Sequence, residues 1–114
     1  MPTIEEIINE GFSLHQTGNF KEAETAYQEA LSVNSENAEV CNLLGLLKLQ
    51  QNDVKAAIEW IEKAIKISPE EYFYETLFQA FIRDKQYEKI VENESVINKK
   101  YSKKIMISNL TFNL

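Results

Sequence analysis

The sequence predicts an all-α chain of stacked helix-turn-helix units, and three observations predict it. The phrase GNFKEAETAYQEAL at residues 18–31 returns as QNDVKAAIEWIEKAI at 51–65 and, more weakly, as KQYEKIVENESVI at 85–97. The set Phe20, Ala23, Tyr27 and Ala30 recurs 34 positions on as Val54, Ala57, Ile61 and Ala64, then 33 further on as Tyr87, Ile90, Glu94 and Ile97. The first two sets match in kind at every position, and the third keeps its hydrophobicity except at Glu94. Within each set the spacing is three or four residues, which places the side chains on one face of a helix.

The first unit opens with a stripe of Ile4, Ile7, Ile8, Gly11 and Leu14. Thr3 followed by Glu6 fits a capping box, in which each side chain satisfies a free amide of the other's backbone. Thr17, Gly18 and Asn19 break the chain, and Asn19 with Glu22 is expected to cap the following helix. Asn34, Ser35, Glu36 and Asn37 separate this unit from the next.

In the second unit Cys41, Leu44, Gly45 and Lys48 stand at equivalent places, and Leu43 and Leu47 widen the stripe. Asn52 and Asp53 repeat the break and the cap. Ser68, Pro69 and Glu70 close the unit, since proline cannot continue a helix. The third unit carries Tyr74, Leu77, Phe78 and Phe81. The predicted units are residues 4–37, 38–70 and 71–98, within one domain over 1–98.

Residues 99–114 form a basic and then apolar tail. Met106, Leu110 and Leu114 fit a capping helix, whereas the alternation of Ile105 and Ile107 fits a strand. The tail is open to three roles: covering the third unit, pairing two chains into a homodimer, or continuing into a larger protein.

A helix-turn-helix unit of about 34 residues is the period of the tetratricopeptide repeat. The chain resembles that family at Gly11, Gly45, Ala23, Ala57, Ala30, Ala64, Tyr27 and Pro69, which match its small, aromatic and proline positions. The resemblance implies a right-handed α-solenoid whose first helices line a concave groove. The small residues have a mechanical reason: they let the two helices of a unit approach closely. The third unit is degenerate. Phe78 stands for Gly, Ile90 for Ala and Glu94 for the aromatic, so packing that is wider, or altered by the tail, is expected there.

Charge narrows the partner. The net charge is −6; Lys99, Lys100, Lys103 and Lys104 give the tail +4, so the body through Asn98 carries 8 − 18 = −10. Such a body repels phosphate backbones, and no nucleic-acid partner is expected. Cys41 is alone, which excludes a disulfide framework and a cysteine zinc site. The N-terminus has no basic and apolar signal pattern, and no segment has the length of a membrane span. A cytoplasmic location is expected.

No catalytic motif stands out. His15 has no sequence neighbour to make it a base or ligand and is expected on the surface. Phosphate loops, zinc spacings and nucleophile elbows are all missing. The expected function is therefore non-catalytic, with no cofactor and no metal.

The resemblance places a protein or peptide partner in the groove. By register the groove positions are Ile8, Asn9, Phe12 and His15, then Asn42, Leu43, Leu46 and Leu49, then Glu75, Thr76, Gln79 and Ile82. Phe12, Leu46 and Leu49 are apolar where a solvated face is polar, and Asn42 is expected to meet a peptide backbone. The site expectation is Ile8, Phe12, Asn42, Leu46, Leu49 and Gln79. The competing reading is that these apolar residues face a neighbouring helix. A chaperone-type carboxylate clamp is disfavoured, because Ile8 and Phe12 occupy its first-unit positions and Arg83 alone does not rebuild it. The alternative function is a repeat module of a larger bacterial enzyme, of glycosyltransferase or methyltransferase type, or of a secretion system.

Overall fold

A computed structural model describes the backbone of residues 1–100 and the side chains of residues 1–93. The expectations for the tail at 99–114, and for the side chains of Glu94 and Ile97, lie outside the described residues. Within them the chain forms helices α1 (Ile4–Gln16), α2 (Phe20–Val33), α3 (Ala38–Gln50), α4 (Val54–Ile67), α5 (Glu71–Arg83) and α6 (Tyr87–Lys100), with no strand. The first helix of each unit has 13 residues and the second 14. Helix starts recur at 34 and then 33 positions, the same offsets as the apolar sets.

The helices form two layers. α1, α3 and α5 lie side by side, while α2 and α4 pack on their own unit and on the first helix of the next. The core is accordingly a row of linked clusters. Ile7, Ala23, Tyr27, Ala30, Leu44 and Leu47 join the first unit to the second. Leu49, Ile61, Leu77, Phe78, Phe81 and Ile90 join the second to the third.

Close approach explains the small residues. Ala23, Ala30, Ala57 and Ala64 are fully buried. A Cβ at Gly11 would lie 2.7 Å from Tyr27 Cε1, and one at Gly45 would collide with Ile61 Cγ1. In the third unit Phe78 and Ile90 occupy the corresponding places, and both are fully buried in one cluster.

Each unit turns in the same way. Gly18, Asn52 and Lys85 are equivalent by register and have φ of 84°, 64° and 58°. The next amide reaches back to close the helix end: Asn19 to the Leu14 carbonyl, Asp53 to Lys48 and Gln86 to Phe81, each at 2.8 Å. This is the Schellman arrangement, in which one left-handed residue lets the chain satisfy its last carbonyls. Glycine adopts that conformation freely and lysine does so at a cost.

The caps match expectation with one exception. Thr3 and Glu6 form the capping box at 3.1 and 2.9 Å, and Asp53 Oδ1 accepts from the Ala56 amide at 3.3 Å. Asn19 does not cap with its side chain. Its Nδ2 donates to Thr17 Oγ1 at 2.8 Å, so the amide is spent within the turn.

Candidate functional site

α1 and α3 present their exposed faces next to each other, and a cleft of about 260 Å³ opens where their C-terminal halves meet the start of α2. Phe12, His15, Phe20 and Leu46 line it, with the amides of Gln16 and Gln50 at its edge. Phe12 is 44% exposed, a large ring left open to solvent beside an apolar floor.

The groove positions read from register divide into three groups. Phe12 and Leu46 meet in the cleft. Ile8 is half-buried on α1, and Gln79, Asn9 and Glu75 are exposed. Leu49 and Leu43 are buried: Leu49 packs with Ile61, Tyr74 and Phe78, and Leu43 with the first-unit core. Leu49 is therefore not an open apolar position. Its helix is flanked on both sides, so its stripe of contact is wider than that of α1.

Asn42 also departs from expectation. It is 4% exposed, and its Oδ1 has no hydrogen-bond partner among the described residues. A buried carbonyl without a partner costs on the order of 1–3 kcal/mol. Thr76, at the neighbouring register on α5, avoids that cost by donating to the Tyr72 carbonyl at 3.1 Å.

His15 is buried rather than on the surface, at 5% exposure. It lies one turn beyond Gly11, on the stripe that faces α2. Its Nδ1 pairs with the Tyr27 hydroxyl at 3.1 Å, and the edges of Phe12, Phe20 and Tyr27 surround the ring at 6.4, 6.1 and 6.0 Å between centroids. Burial lowers the imidazole pKa below its usual value, and a hydrogen bond with Gln50 opposes this in part. Burial pushes Tyr27 up to about 12. The pair is thus neutral at physiological pH.

Two polar links hold α3 in place behind the cleft. Lys48 Nζ meets Glu24 Oε1 at 2.9 Å, and Arg83 Nη1 donates to the Leu49 carbonyl at 2.5 Å. The latter puts a cation on the C-terminal end of α3, where the helix dipole favours it. Cys41 is fully buried, and burial raises its thiol pKa, so it is not a poised nucleophile.

The paired layers and the small residues at each helix crossing agree with one family match. The model for the tetratricopeptide repeat matches residues 10–72, more than half of the chain. The chain belongs to the tetratricopeptide repeat family. Repeats of this family mediate protein–protein interaction. A comparison with curated proteins gave no match. The matched residues span the end of α1 and all of α2, α3 and α4, so α1 and α3 are the first helices of their units. The cleft thus lies on a first-helix surface. Register brought out Phe12, His15 and Leu46 but not Gln16, Phe20 or Gln50. Phe20 reads as a core position of α2, and only the tertiary arrangement turns it toward the cleft.

Among the described residues no helix is long and apolar enough to cross a membrane.

Proposed function

We propose that this tetratricopeptide repeat chain binds an extended segment of another protein along α1, α3 and α5, by contact and without chemistry of its own. The observation that carries this reading is the apolar cleft between α1 and α3, with Phe12 half open and Leu46 as its floor. Ile8 and Gln79 extend that surface to either side by register, and Asn42 lies beneath it. A side chain from the partner gains by covering Phe12, while the exposed Gln16 offers an amide to its backbone. The ring in the cleft, His15, is already hydrogen-bonded to Tyr27 and Gln50, which supports a packing role for it beneath a bound side chain. The expected setting is the cytoplasm.

Site-specific photocrosslinking tests the reading. A photoreactive residue at Gln16 or Gln79 should capture a protein partner, and one at Glu29 or Glu62 on the second helices should not. Equal capture from both sets would remove the groove from the proposal.

A further inference from the structure

The cleft has an acidic approach. Glu5 and Glu39 each stand seven residues before the cleft residues Phe12 and Leu46. Seven residues is two turns, within about 20° of the same direction, so carboxylates and cleft share one stripe on each helix. At ~1.5 Å per residue the carboxylates lie roughly 10 Å along the helix axes from the apolar floor. On α5, Gln79 continues the row of Phe12 and Leu46 by register, and Glu75 lies one turn before it. Glu5, Glu39 and Glu75 are all exposed, and among the described residues none is in an ion pair.

The nearby cations are already engaged. Lys48 is paired with Glu24, and Arg83 donates to the Leu49 carbonyl. One end of the groove face therefore carries Glu5 and Glu39, with Glu75 a turn further along on α5, and the other end an apolar pocket. An extended chain advances ~3.3 Å per residue, so roughly three residues bridge the two.

Resting on the groove reading above, we propose that the groove takes a basic partner: an extended segment with lysine or arginine about three residues from an apolar anchor. The anchor fills the cleft against Phe12 and Leu46. The basic side chains approach Glu5, Glu39 and Glu75, adding selectivity more than affinity because these pairs are exposed.

Three fluorescein-labelled peptides test this against the full chain by fluorescence anisotropy. They are Lys-Lys-Ser-Ser-Phe-Ser, its Glu-Glu counterpart, and the Lys-Lys form with Ser in place of Phe. The first should bind about five- to tenfold tighter than the second at low ionic strength. That gap should narrow with salt, as the screening length falls from ~30 Å at 0.01 M to ~3 Å at 1 M. Leu46→Ser should weaken binding. Phe12→Ser, at an exposed position that does not threaten folding, should do the same. Glu5→Gln, Glu39→Gln and Glu75→Gln together should abolish the preference and leave helicity unchanged. Equal binding of the Glu-Glu peptide would overturn the basic partner and leave an apolar groove standing. Equal binding of the peptide without Phe, or no effect of either cleft variant, would overturn it as unspecific charge attraction. If no peptide binds, the groove reading fails with it.

Discussion

His15 Nδ1 lies 3.1 Å from the Tyr27 hydroxyl, and this buried pair ties α1 to α2 under the floor of the cleft. The pair has a pH consequence. The folded chain holds His15 below its ordinary pKa because burial disfavours the imidazolium. The unfolded chain titrates near the usual value of about 6.5. Between those two values the unfolded state binds more protons, so stability falls as pH falls. The contribution is fully present above the unfolded pKa and is lost as pH drops through the folded one. Urea midpoints should decline from neutral pH to about 5.5, and His15→Gln should flatten that decline. An unchanged slope in the variant would assign the pH dependence to other groups.

Gly45 should resist even alanine. In an open helix Gly→Ala gains about 1 kcal/mol from helix propensity. Here the new Cβ would strike Ile61 Cγ1 and come within 3.2 Å of the Ala57 carbonyl. Overpacking costs roughly 1–3 kcal/mol, so Gly45→Ala should be destabilising despite the better propensity. Ile61→Ala removes Cγ1 itself, so it should cost less in the Gly45→Ala chain than in the natural one. A higher denaturation midpoint for Gly45→Ala would mean that α3 and α4 part easily.

The turn at Lys85 is open to improvement. Lys85 sits at φ 58° where the first unit has Gly18. A left-handed residue with a Cβ costs about 1–2 kcal/mol, so Lys85→Gly should raise stability by about 1 kcal/mol after the entropy of the unfolded chain is counted. Gly18→Ala should lower it by a similar amount. Thermal melts of the two variants should move in opposite directions. A fall for Lys85→Gly would place that turn outside the shared geometry.

These residues also mark how far the sequence could be read. The period was legible because Ala23, Ala57, Ala30 and Ala64 must be small where helices cross, and helix starts keep the same 34 and 33 offsets. The turn at Lys85 was not, since lysine carries no turn signal and register alone points to it. His15 looked like a surface residue because its partner Tyr27 is twelve positions away and meets it only when α1 lies on α2. Phe12 and Leu46 were found by counting along helices. Leu49 was misplaced by the same counting, because α5 covers α3 on a side that α1 leaves open.

Asn42 separates stability from binding. It is buried on α3, and its Oδ1 has no partner among the described residues. At the same register the first unit has the half-buried Ile8 and the third the exposed Glu75, so an apolar side chain has a precedent at this position. Replacing an unpaired buried carbonyl with an apolar group removes a desolvation cost of on the order of 1–3 kcal/mol. Some of that is offset by the misfit of a new shape, so Asn42→Leu should raise stability by about 1 kcal/mol. If Asn42 is there for packing, binding at the neighbouring cleft should survive the change. If it turns outward to meet a partner backbone, the more stable variant should bind more weakly, by roughly the 0.5–1.5 kcal/mol of one hydrogen bond. Denaturation and photocrosslinking from Gln79, measured on the same variant, read the two effects apart. A less stable Asn42→Leu would show that the amide is satisfied in solution, and the assignment of an unpaired Oδ1 would fall.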